Sequence, residues 1–519
     1  MNRRYLQVNP NDNVVVMIEE SKKEDFIIFN GKRITLLNDV PQAHKIAIKT
    51  IEENKPIVKY GHEIGKASKN IAEGEWVHIH NLLCERGKTT RKESKSAESK
   101  SPNWKGPYNG ASMTFMGYKR PYGGVGVRNH LLIISNVFCA NNAADRINRA
   151  LPGSMLIRHE KGCGQIGFDL ELSARTLKSM ANHPNIGAVI IIALGCERLK
   201  SHEVYDYVRQ TTGKPIKLFV IQEEGGLDKT VEKAILEGRK MQELLLKEKR
   251  VPCDISELFI TTKCGGTDSN SGLAANPALG YASDCIVSMG GSSIISELNE
   301  LIGTEDILAS RAINQEVENK VYSAIYSIED FLKSCIEPRL PESRNQLISP
   351  GNFDGGVSSI VEKALGGVHK CGEAPITDVL DFALPPRKGQ KGLFLMSYES
   401  VDGEVTTGMI GCSSQLVCFT TGRGNPTGHP VAPVIKITGN HEVYEKMKDD
   451  FDFDASAITL ESKSVKDVGE ELLALILRVA SGELTSAEKH EGNELFSMPR
   501  RHGCKMTEKD DIQQNYCHS

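Results

Sequence analysis

No apolar run in this 519-residue chain approaches the ~20 residues a helix needs to cross a bilayer, so a helical membrane span is not expected. Nor is there a basic excess. Lys and Arg total 63 against 67 Asp and Glu, a balance that argues against nucleic acid as a partner. No apolar stretch follows Met1-Asn2-Arg3-Arg4-Tyr5, so no secretory signal is expected there. A dense cysteine framework is also missing. The 13 cysteines are odd in number and scattered, unlike the disulfide scaffolds of small secreted domains. These absences predict a cytoplasmic chain with reduced thiols, most of them small packing residues. No internal repeat is found. The length exceeds what one core supports, so two to four domains are expected.

What is there divides along the chain. Residues 1–85 read as a β-rich unit of short strands, among them Val14–Ile18, Phe26–Phe29, Lys45–Ile48 and Trp76–His80. Residues 86–112 include a charged, Ser-rich stretch, Lys88–Ser96, with little to bury, and read as a flexible linker. From Gly117 strand and helix patterns alternate, which predicts parallel sheets. Asp284–Met289 reads as one of these strands, Pro350–Gly356 as a loop, and the tail after Arg500 as loosely held. A further α/β unit is placed from Lys391 onward. The expected fold class is a multidomain α/β chain: a β unit at 1–85, a linker at 86–112, and α/β domains at 113–388 and 389–519.

Three Cys-Gly segments carry the chemistry. They are His159-Glu160-Lys161-Gly162-Cys163-Gly164-Gln165, Gly195-Cys196-Glu197 and Lys263-Cys264-Gly265-Gly266-Thr267-Asp268. The last two follow apolar runs, as loops at the carboxyl ends of buried strands do, and such ends are where open α/β sheets bind ligands. Cys163, Cys196 and Cys264 are either packing residues at tight turns or, with Glu197 and Asp268, the lining of a site. His78 and His80 alternate with Val77 and Ile79, which would put both on one strand face. Thr420-Thr421-Gly422-Arg423-Gly424 follows another apolar run and offers a guanidinium to a carboxylate.

Read in order, these segments resemble the altronate/galactarate dehydratase family over nearly the whole chain. The resemblance includes Ala43-His44-Lys45, Gly126-Val127-Arg128-Asn129, Ser349-Pro350-Gly351-Asn352 and Phe419-Thr420-Thr421-Gly422-Arg423-Gly424-Asn425-Pro426. It implies an N-terminal SAF domain and a hydro-lyase that removes water from an aldonic or aldaric acid to give a 2-keto-3-deoxy acid. It also implies a divalent metal, Fe(II) or Mn(II), with Cys163, Cys196, Glu197, Cys264 and Asp268 as candidate ligands. His44, His78, His80 and His159 become candidate acid/base groups. Arg128, Asn129, Asn352, Thr420, Thr421 and Arg423 become candidate substrate contacts. The partner is a small sugar acid, and a homo-oligomer is left open. Ser397–Ser400 and Asn425–Pro430 depart from the segments typical of galactarate enzymes, where the choice of sugar acid would be set. The alternatives are a sulfo-lyase acting on a sulfonated hydroxy acid, an iron–sulfur dehydratase, and a non-catalytic sugar-acid-binding protein.

Overall fold

The structure, a computed structural model, describes residues 1–84, 104–108, 110–335 and 350–500. Most of the expected linker and the tail after residue 500 lie outside them. The described end of the linker is docked rather than loose. The Tyr108 amide donates to Ser288 Oγ at 3.2 Å and its hydroxyl to Glu470 at 3.0 Å. No described helix is long and apolar enough to cross a membrane.

Residues 1–84 form the expected β unit. Tyr5–Leu6, Val14–Met17, Lys45–Ala47 and Trp76–Val77 make an antiparallel sheet, joined by a hairpin at 26–35 and a three-stranded sheet at 56–83. His78, Ile79 and His80 are not on a strand. The strand stops at Val77, and Asn81 folds the chain back by accepting from the His78 amide at 2.9 Å.

A second unit holds four parallel strands in the order Met155–Ile157, His130–Ser135, Ile186–Ala193, Ile216–Val220. Its central strands are apolar on both faces because helices cover both. Leu131 and Ile133 join one core cluster, and Leu132 and Ile134 another.

The third unit is one seven-stranded parallel sheet. Its order is Ile376–Leu380, Gly392–Met396, Ser292–Ile295, Phe259–Cys264, Leu416–Thr420, Val434–Thr438, Phe453–Asp454. Strands from both sides of residue 389 hydrogen-bond within it, so the expected break there is corrected. The change of unit lies between Ile216–Val220 and Phe259–Cys264. The second and third units share a core in which Leu132, Leu177 and Met180 meet Val417, Phe419 and Val434.

Two further expectations change. Asp284–Ser288 closes the helix Asn276–Ser288, whose second residue is Pro277, and the strand is Ser292–Ile295. That helix is buried on nearly every side, so its apolar residues show no helical stripe. Pro350–Asp354 is one helical turn, not a loop.

Candidate active site

After Phe259–Cys264 the chain builds strands on one side of it, then returns to lay Leu416–Thr420 on the other. The crevice outside the carboxyl ends of these two strands is the switch point of the sheet, where ligands bind in open α/β folds. Its walls are the loops Gly265–Asn270 and Thr421–Asn425. Asp268 builds the first wall. One oxygen accepts from the Ser271 amide at 2.8 Å and hydroxyl at 2.9 Å, the other from Asn440 Nδ2 at 2.9 Å. The walls touch at Gly422, where a Cβ would lie 2.3 Å from the Asp268 carboxylate. Thr421 Oγ1 accepts from the amides of Arg423 and Gly424 at 3.2 and 3.1 Å, shaping the second wall. Thr420 is turned inward, its hydroxyl donating to Asn276 Oδ1 at 2.7 Å. Arg423 is exposed, and no ion pair among the described residues engages its guanidinium.

The turn at 350–356 and the β unit cover this crevice. Asn352 accepts the Thr267 amide at 3.0 Å, and Gly355 O accepts the Ser269 amide at 2.9 Å. Gly351 faces Arg423, whose Nε would lie 4.0 Å from a Cβ built there. Gly356, at φ +90°, approaches Ala43 so closely that a Cβ would sit 2.5 Å from its carbonyl oxygen. The next residue, His44, lies over the turn, with Nε2 3.2 Å from Asp354 O. Trp76 Nε1 donates to His44 Nδ1 at 3.2 Å, which leaves the proton on Nε2. The His78 ring meets His44 edge-on at 4.9 Å, and its buried Nδ1 has no hydrogen-bond partner among the described residues. Burial, reinforced by the nearby Lys45 ammonium, lowers His78 to about 3. Burial also lowers His44. Both imidazoles are neutral at pH 7. His80 is exposed and packs on Trp76 at 5.0 Å.

Beside the crevice lies a buried ionic knot. Lys370 Nζ is 2.9 Å from Cys264 Sγ and also bonds Glu297. The Cys264 thiol approaches Glu297 at 3.4 Å and Glu300 at 3.2 Å. Lys363 pairs with Glu300 at 3.0 Å, and Lys263 with Asp402 at 2.5 Å and Glu297 at 3.6 Å. Glu297 adopts a left-handed φ of 68°, a conformation that costs roughly 1–2 kcal/mol outside glycine. Cys264, with Lys263 before it, was legible from sequence; Glu297, Glu300, Lys363 and Lys370 were not. A lysine in the apolar run Phe259-Ile260-Thr261-Thr262-Lys263 was the available signal.

The remaining predicted residues lie elsewhere. Arg128 and Asn129 precede the strand His130–Ser135 and so sit at its amino end, away from any carboxyl-end crevice. Arg128 is committed to Glu488 at 2.7 and 2.8 Å and to the carbonyls of Val479 and Glu483, each at 2.8 Å. Asn129 donates to Leu245 O at 3.2 Å. His159, Cys163, Cys196 and Glu197 cluster at the carboxyl ends of the four-stranded sheet. Asn136 links their loops by donating to Glu197 at 3.1 Å and to Leu199 O, and Gly162 O accepts the Leu199 amide at 3.0 Å. Cys163 and Cys196 are exposed, whereas His159 is buried, which lowers it to about 4.

Among the described residues, Cys264, Glu297 and Glu300 are the one group of three or more candidate metal-ligand atoms within 4.8 Å of one another. Cys163, Cys196, Glu197 and Asp268 do not join it. The group does not suit a divalent cation as it stands. Lys370 and Lys363 already neutralise both carboxylates, and burial raises the thiol so that it stays protonated.

A β unit that packs through His44 on the turn covering the switch point of a parallel sheet frames the candidate site, and sequence comparison gives its class. Domain models described as the altronate/galactarate dehydratase SAF domain, the D-galactarate dehydratase/altronate hydrolase second domain and the D-galactarate/altronate dehydratase C-terminal domain match residues 3–85, 117–245 and 255–502. An altronate dehydratase of Bacillus subtilis is 33% identical over 95% of this chain and 98% of its own. The L-threo-forming galactarate dehydratase of Escherichia coli is 30% identical over 92% and 93%. The (2R)-sulfolactate sulfo-lyase subunit beta of Chromohalobacter salexigens is 34% identical over 72% and 94%. The chain belongs to the galactarate/altronate dehydratase family and is an enzyme of that hydro-lyase class.

Proposed function

We propose that this enzyme removes water from an aldonic or aldaric acid of the altronate or galactarate type to give a 2-keto-3-deoxy acid. What supports the reading is an exposed guanidinium, Arg423, at the switch-point crevice, with the neutral, buried His44 packed on the 350–356 turn that covers it and His78 packed against His44. Arg423 would pair with the substrate carboxylate through two parallel hydrogen bonds and stabilise the charge that builds on it as the C2 proton leaves. His78 would take that proton at its unpartnered Nδ1. The imidazolium so formed would return it to the C3 hydroxyl as the C3–O bond breaks, so that water departs and the enol relaxes to the keto acid. Asn352 and Thr421 shape the crevice, and Asp268 is a structural member of its wall rather than a ligand.

Dependence on Fe(II) or Mn(II) rests on the family resemblance. A divalent ion at Cys264, Glu297 and Glu300 would require Lys370 to leave its two partners, so no step is assigned to a metal there.

The similarity to a sulfo-lyase subunit supports a second reading, with sulfite as the leaving group. Purified protein should be given altronate, galactarate and sulfolactate, with Fe(II), Mn(II) and Mg(II) added separately, and 2-keto acid and sulfite measured. Keto acid from a sugar acid without sulfite is the expected result. Sulfite release from sulfolactate would replace the dehydratase reading, and binding without turnover would remove both.

A further inference from the structure

The helix Ile360–Val368 carries two adjacent charges with different partners. Glu362 is fully buried and faces the SAF unit, accepting from Lys45 at 2.9 Å and from Lys59 at 2.7 Å. The oxygen that takes Lys45 also takes the Ser358 amide at 2.9 Å and hydroxyl at 2.7 Å. Lys363 is committed to Glu300, and Glu300 receives the Cys264 thiol. One helix thus fastens the SAF unit on one side and the ionic knot beside the crevice on the other.

The bonds made by Glu362 bracket the contact that places the histidines. Lys45 follows His44 directly, and its ammonium also donates to Gly356 O at 3.0 Å. Gly356 and Ser358 follow Asp354, whose carbonyl lies against His44 Nε2. Both sides of the His44–Asp354 contact are therefore tied to the same carboxylate within a few residues. Ser359, the first residue before the helix, adds a bond to Ile64 O at 2.6 Å.

This arrangement is a costly way to join two units. Removing one carboxylate and two ammonium groups from water is unfavourable for each ion, and apolar side chains of similar volume often hold such a junction as well or better. Burial alone would raise the Glu362 carboxyl, yet Lys45 and Lys59 outweigh it and keep the group ionised. What the ions supply beyond adhesion is direction, since charge-assisted hydrogen bonds fix orientation as well as distance.

We propose that Glu362 is a positioning residue for the elimination: through Lys45, Lys59 and Ser358 it holds the His44–His78 pair over the 350–356 turn without touching substrate. This rests on the dehydratase reading given above. A displacement of about 1 Å at the reacting groups costs on the order of a hundred-fold in rate. Substrate anchoring through Arg423 is separate from this junction and should be spared.

The test uses the full chain with Lys45→Met, Lys59→Met and Glu362→Leu combined, and a separate Glu362→Asp chain that keeps the charge on a shorter stem. The apolar triple leaves the Ser358 amide and hydroxyl and the Gly356 carbonyl without these partners and so should melt below wild type, yet it should keep KM within about two-fold while kcat falls about a hundred-fold. Amide exchange should quicken over residues 42–46 and 353–358 and stay unchanged in the strand Phe259–Cys264. Glu362→Asp should show the same split at smaller amplitude, and it decides the matter if the triple does not fold. Wild-type kcat in either folded variant overturns the proposal, as does a slow variant whose exchange at 42–46 and 353–358 is unaltered. If wild type itself makes no keto acid from any sugar acid, the functional reading fails. The exchange comparison then still reports whether Glu362 orders the two segments.

Discussion

Replacing Arg423 by lysine separates a substrate contact from a structural one. The guanidinium has no ion pair among the described residues, and its stem crosses Gly266, where a Cβ would meet Arg423 Cβ and Cγ at 3.2 and 3.1 Å. The backbone turn that presents it is held by Thr421 Oγ1 on the Arg423 and Gly424 amides, and these bonds do not depend on the side chain. Folding stability should therefore change by no more than about 0.5 kcal/mol, as for surface substitutions away from special features. The catalytic cost is larger. Lysine keeps the charge but presents a point donor in place of a planar fork. Losing a bidentate, charge-assisted contact costs on the order of 1.5–3 kcal/mol, or roughly ten- to a hundred-fold in kcat/KM. Steady-state kinetics on the preferred sugar acid and thermal melting of both proteins measure the two quantities. A lowered melting temperature with unchanged kinetics would refute the reasoning and move the carboxylate site to another loop.

His78→Gln should lower kcat by about a hundred-fold or more while melting within a few degrees of wild type, and stopped-time keto-acid assays would show it. His78 and His183 are each lowered to about 3, and burial is the first cause in both. The unfolded chain therefore binds protons that the native chain refuses between about pH 6.5 and 3, so stability should be fully present above pH 6.5 and fall as the pH drops through that window. Urea titrations at pH 7 and pH 5 would reveal this, and equal midpoints would contradict it. The same shift keeps His78 deprotonated, so the acid limb of kcat/KM should not begin near pH 6.5. Cys264→Ser should leave the Fe or Mn bound per chain unchanged by elemental analysis, because Lys370 and Lys363 already occupy that group.

The switch-point loops were legible in sequence because their chemistry is local. Glycine, threonine and a charged residue directly follow an apolar run, as at Cys264–Asp268 and Phe419–Arg423. The ionic knot was not legible, because Glu297 and Glu300 come from one stretch of chain and Lys363 and Lys370 from another, and only the fold brings both to Cys264. Arg128 and Asn129 were drawn into the site by a motif, although a residue before a strand lies at the strand's amino end. The 284–289 segment shows the limit of periodicity. A helix buried on nearly all sides and a buried strand both read as an unbroken apolar run. The break near 389 misled because the third unit inserts helices and edge strands between two neighbours of one sheet.

The Arg128 clamp bears on how the molecule comes into being. Glu488, which closes it, is made 360 residues after the arginine. At roughly 5–20 residues per second, a nascent chain would wait about 20–70 s with that guanidinium unanswered. The strand Phe259–Cys264 likewise waits for Leu416–Thr420 before it has neighbours on both sides. The second unit, though bounded in sequence, is thus finished by chain synthesised long after it. A truncation that spares every residue up to 478 would still leave residues 117–245 with an open seam.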